Sequence, residues 1–206
     1  MGMRIRKKWD LLSEQNGALA VLAVAFLLGG AAGCLLAALS GGAGAEELGR
    51  YLTDYLSLAQ KGELPRRLWP LLWGQARFLI AALVLGLTVL GLAGLPVLFG
   101  IRGFFFSFSV ACFCRVFGVR GLFPAFVLSA LPALLWAPAL FLAGVYGFLS
   151  AQQLLHRSMG ESRSGIAING VWWCRAGLCT GLALAAGLLE YWVVPVLLRA
   201  AAHIIL

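Results

Sequence analysis

"GALAVLAVAFLLGGAAGCLLAAL", residues 17–39, is 23 residues long and carries no charge. A helix rises about 1.5 Å per residue, so about 20 apolar residues cross a hydrocarbon core of about 30 Å. The stretch therefore reads as a membrane span, and the chain as an all-α integral membrane protein. Whole-chain composition agrees: of 206 residues 62% are hydrophobic and 12% charged, with a mean hydropathy of +0.93. Soluble domains carry about 25% charged residues.

Residues 1–16, beginning "MGMRIRKKWD", form a basic cap whose four cations directly before the span argue for a cytoplasmic N-terminus. The net charge of +8 comes from 16 Lys and Arg against 8 Asp and Glu. Most of these cations flank apolar runs, where topology and anionic lipid head groups account for them. With no basic patch interleaved with aromatics outside the membrane, no nucleic acid is expected as a partner. Membrane lipids are. The 5 cysteines lie in or beside apolar segments at spacings that give neither a disulfide framework nor a zinc pattern.

After the first span comes "SGGAGAEELGRYLTDYLSLAQKGELPRRLWP", the one sizeable polar region. Leu48, Tyr51, Leu52, Tyr55, Leu56 and Ala59 repeat at helical spacing opposite Glu46, Glu47, Arg50 and Asp54. Residues 46–60 thus read as an amphipathic helix, closed by Lys61-Gly62 and kept closed by Pro65. It packs on its own bundle, lies in the interface or docks a partner. For a partner, the surface is residues 46–67, with Tyr51, Tyr55, Arg66 and Arg67.

Further spans are expected over 78–95, closed by Gly94 and Pro96, and over 97–117. Arg102 then falls in the second turn of the third span and Arg115 in its last, close enough to the two interfaces for both stems to snorkel. Alternatively, Arg102 turns inward against a buried carboxylate. Pro124, Pro132 and Pro138 interrupt the following apolar stretch, predicting a short piece near 122–130, a break at Leu131-Pro132 and a span over 133–152. A basic cytoplasmic loop, 153–175, precedes a last span over 176–198 that contains Glu190 and Pro195. This makes about five spans, a single membrane domain with a Pro-broken fourth segment.

Glu190 is the foremost polar candidate, because a carboxylate within a span must be neutralised or paired. Three readings stay open: an interfacial pair with Arg199, a buried pair with Arg102 or Arg115, or proton and ion handling. His156 and His203 assemble no catalytic set, and no phosphate-binding glycine pattern is present. The protein is expected to be no enzyme and to need no cofactor or metal. Gly29, Gly30 and Gly33, and Gly177, Gly181 and Gly187, are spaced for close helix approach.

Three stretches resemble the stage II sporulation protein M family of bacterial multi-pass membrane proteins: "RGFFFSFSV" (Arg102–Val110), "LPALLWAPALFLAGVYG" (Leu131–Gly147) and "LLEYWVVPVLL" (Leu188–Leu198). Gly103, Pro132, Pro138 and Pro195 are the motif positions. Ser107 departs from the family's glycine, and the wholly apolar run between Pro132 and Pro138 lacks the polar residue that relatives often carry. The resemblance implies a non-catalytic scaffold in the bacterial cell membrane, at the sporulation septum. There it would gather the peptidoglycan-remodelling stage II sporulation proteins D and P during engulfment. The alternative is a subunit of a membrane transporter or ABC-type permease, using the Pro-broken helix and Glu190.

Overall fold

In the computed structural model the described residues are 2–39, 43–62, 68–160 and 170–205, with side chains described for 14–39, 46–62, 68–160 and 174–201. The helices are α1 (Gly2–Leu39), α2 (Ala43–Lys61), α3 (Leu68–Gly86), α4 (Gly91–Phe117), α5 (Leu122–Ala125), α6 (Leu131–Ser158) and α7 (Gly170–Ile205). A 3₁₀ turn, Gly118–Gly121, joins α4 to α5, and a π-helical turn, Phe126–Ala130, joins α5 to α6. No strand occurs among the described residues. The side chains of the N-terminal cations, and Arg66 and Arg67 entirely, lie outside the described residues.

Among the described residues, four helical stretches are long and apolar enough to cross a membrane: Glu14–Leu39, Leu68–Gly86, Gly91–Ser158 and Cys174–Ala201. Their outer faces are apolar, with Leu27, Leu28 and Leu35 of α1 all about two-thirds exposed. Such a surface belongs against lipid.

The helix expected over 78–95 is displaced. It runs Leu68–Gly86, and the chain turns at Leu87–Leu90, where the Thr88 hydroxyl donates to the Leu85 carbonyl at 3.0 Å. The next helix then begins at Gly91, not at Val97. Pro96 is tolerated in its second turn, where only the Leu92 carbonyl loses its helical donor. Hydropathy is continuous across this hairpin, so the proline drew the boundary to the wrong place. The expected break at Leu131-Pro132 is also corrected, because helical backbone continues through it and the irregularity is the π-helical turn just before. That wider turn shifts the Leu128 carbonyl, which would otherwise meet the Pro132 ring.

Packing follows the small residues. A Cβ on Gly29 of α1 would fall on the Gly100 carbonyl of α4, and one on Gly103 would fall on the Phe26 carbonyl, so the two backbones touch. Gly86 of α3 meets Gly147 of α6 in the same manner. The core joins Leu22, Leu95, Phe99, Trp136 and Phe148. Phe99 packs edge-on against Phe141 and Phe106 against Trp136, an order that makes α4 and α6 antiparallel. Glycines at 177 and 181, by contrast, meet nothing.

The amphipathic helix forms as expected and is α2. Leu56 and Ala59 bury against Val127, Val194 and Leu198, while Leu52 joins Ala37, Cys112 and Phe113. It thus lies across the end of the bundle where α1, α4 and α7 finish. Gly62 ends it with φ +77°, a conformation that glycine adopts without strain, and the Arg199 guanidinium lies against Gly62.

Candidate functional site: an intramembrane Arg–Gln–Glu network

Because α4 starts at Gly91, Arg102 is eleven residues in, about 16 Å along the axis. Its side chain cannot serve as an anchor in the second turn of a span. It turns inward instead. Glu190 likewise sits well inside Cys174–Ala201, and Gln75, which lay outside the expected second span, is in the middle of α3.

These three residues meet. Arg102 Nη2 donates to Gln75 Oε1 at 2.8 Å, and Gln75 Nε2 donates to Glu190 Oε2 at 3.0 Å. The guanidinium is also held between two rings, its carbon 4.6 Å from the Phe78 centroid and 4.1 Å from that of Trp136. Aromatic faces offer a cation electrostatic stabilisation without water. Arg102 Nε is buried with no hydrogen-bond partner.

Other expected residues fall elsewhere. Arg115 Nη1 donates to the carbonyls of Ala37 and Ala38, the last turn of α1, where a cation meets free carbonyl groups and the negative end of the helix dipole. Arg199 is beside Gly62 and not paired to Glu190. Gly103 is buried at the α1–α4 contact and Pro132 in the wall of a cleft, whereas Pro138 lies in α6 with an exposed ring and Pro195 is half-buried in α7. Tyr51 is 67% exposed, but Tyr55 on the same helix turns toward the bundle. Burial, aided by the negative charge of Glu190 and then by Tyr51, pushes the Tyr55 phenol up from its ordinary value.

The cleft has a volume of about 170 Å³ and is lined by Arg102, Gln75 and Glu190, by Ser109 and Ser129, and by aromatic walls that include Phe105 and Trp136. The π-helical turn forms one side of it, consistent with irregular backbone at membrane depth lining a cavity. Among the described residues no group of three or more His, Cys, Asp or Glu is placed to hold a metal ion. Sequence reasoning missed Gln75. Its signal was a lone carboxamide one helical turn from the start of an apolar run.

Fold and network together define a polytopic helical membrane protein with a polar centre. The family model described as stage II sporulation protein M matches residues 22–195, and the chain belongs to that family. That is a membrane-associated sporulation family and not a known enzyme family. Neither a curated protein nor a solved structure gives a significant match.

Proposed function

We propose that the protein is a non-catalytic membrane scaffold of the sporulation septum. In this reading it gathers peptidoglycan-remodelling proteins, stage II sporulation proteins D and P, during engulfment. We read the bundle as five crossings, since Gly91–Ser158 contains two antiparallel helices, with the N-terminus cytoplasmic and α2 outside. The observation that carries the reading is α2. Its apolar side is locked to the bundle while Glu46, Glu47, Arg50, Tyr51 and Asp54 remain exposed. This is a fixed polar surface held beside the bilayer, with an exposed tyrosine of the kind enriched at protein interfaces.

The test is a pull-down from sporulating cells with the tagged protein and with Tyr51→Ala. Wall-remodelling proteins recovered with the parent chain and lost from Tyr51→Ala support the scaffold. Recovery of an ATPase or a transporter subunit without wall proteins overturns it.

A second reading, a transporter or permease subunit, is favoured by the polar cleft around Arg102 and Glu190. It requires that Glu190→Gln abolish a solute or ion flux while folding is retained. In the scaffold reading, that substitution acts through stability or assembly alone.

A further inference from the structure

Polar groups inside a membrane are expensive when they face lipid, and they are met by protein or water. The cleft breaks this rule on the isolated chain. It runs from Arg102 toward the end of the bundle that α2 covers, and its α4 side is open: Phe105 is 51% exposed, and Ser109, one turn further, is exposed as well. Its floor holds a guanidinium, a carboxamide and a carboxylate, and its walls are aromatic and aliphatic. A guanidinium has five N–H donors, of which Nη2 is engaged by Gln75.

We propose that this cleft receives a transmembrane helix of a partner protein, seated with a neutral hydrogen-bond acceptor, the carboxamide of Asn or Gln, toward Arg102. Charge selects that chemistry. Arg102 and Glu190 already offset one another through Gln75, so a neutral acceptor enters without leaving an unpaired charge. Volume selects a side chain and not a whole helix, since about 170 Å³ holds one side chain of carboxamide size and the partner helix lies across the opening. Position agrees too, because the cleft and α2 share one end of the bundle, and a chain crossing beside α4 would pass α2 as it leaves the membrane. The proposal rests on the scaffold reading and names where the partner's span is held.

The experiment places the photocrosslinker p-benzoyl-phenylalanine at position 105, at Tyr51 on α2 and, as a lipid-facing control, at Leu27 on α1. Each protein is co-expressed with the proposed partners, and its size-exclusion profile is checked first. Position 109 replaces 105 if that protein misfolds. Crosslinks from 105 to a transmembrane segment of a partner, absent from Leu27, are expected. The substitution Ser129→Phe, which fills the cleft, should lower their yield about tenfold, the effect of one lost interhelical hydrogen bond. Crosslinks from 105 to lipid alone, or to a second copy of this chain, overturn the proposal, and crosslinks from Tyr51 in the same cells then leave the scaffold reading standing. Partner crosslinks from neither position overturn both.

Discussion

Arg102 and Glu190 are joined through one intervening carboxamide: Gln75 accepts from Arg102 at 2.8 Å and donates to Glu190 at 3.0 Å. The carboxamide is suited to this because it offers one acceptor and one donor group in a plane, which lets two opposite charges on α4 and α7 be satisfied from α3 without touching. Replacing Gln75 with Leu removes both hydrogen bonds and keeps the apolar bulk. We expect a loss of about 1–3 kcal/mol, read as a lowered unfolding midpoint in detergent. Gln75→Glu is expected to behave differently from Gln75→Leu. It restores an acceptor to Arg102 but places two carboxylates side by side, so its stability should depend more steeply on pH than that of the leucine variant, which leaves a single unpaired carboxylate.

The α1–α4 contact gives a prediction with an internal control. A methyl on Gly103 would meet the Phe26 carbonyl, and one on Gly29 the Gly100 carbonyl, both backbone atoms that cannot rotate away. Gly103→Ala and Gly29→Ala should each cost about 1–3 kcal/mol, the range for overpacking. Gly177→Ala and Gly181→Ala meet nothing within 4 Å. In the monomer, they should be neutral or gain up to about 1 kcal/mol from the better helix propensity of alanine. Thermal unfolding of the four variants in one detergent checks the contrast.

Much of this arrangement was legible in the sequence. The charge-free run 17–39 announced a membrane helix, the 3.6-residue repeat of Leu52, Leu56 and Ala59 announced α2, and Gly29 and Gly33 announced a close crossing. The α3–α4 hairpin was not legible, because its residues are apolar on both sides of the turn and Pro96 offered a stronger punctuation mark than Leu87–Leu90. That single displacement hid the site. It left Gln75 in a loop and Arg102 near an interface, whereas the true boundary puts both at the depth of Glu190. Which of several arginines a buried acid faces depends on helix rotation, and one sequence without periodic polar markers on α4 does not encode that visibly.

Arg115 closes the last turn of α1 through the Ala37 and Ala38 carbonyls. Its loss should be local. Arg115→Ala is expected to raise amide hydrogen exchange in the neighbouring end of α1 and to cost about 0.5–1 kcal/mol, the scale of a cation at a helix C-terminus. Arg115→Lys keeps the charge but loses the planar fork, and should recover part of the protection. If exchange rises equally throughout α1 in Arg115→Ala, the contact supports the whole helix and the capping account is wrong.

The alkaline limb of stability should report α2. Tyr55 turns its ring toward the bundle, and burial raises its phenol above the ordinary value of about 10. A raised folded-state value means that the folded protein holds the proton more tightly than the unfolded one. The contribution is therefore fully present below about pH 10 and is lost as pH rises through the folded value. The negative charge of Glu190 acts in the same direction, so the phenolate, once formed, is repelled as well as poorly solvated. Release of α2 is the expected result, followed by protease cleavage at Lys61, the last residue of the helix. Tyr55→Phe removes the ionisable group and keeps the ring, so α2 should stay protected at higher pH than in the parent chain. Tyr51→Phe removes only the smallest of the three causes that raise the Tyr55 phenol and should move the alkaline midpoint less than Tyr55→Phe does. Equal midpoints for the parent and Tyr55→Phe would mean that α2 detaches for a reason other than this phenol.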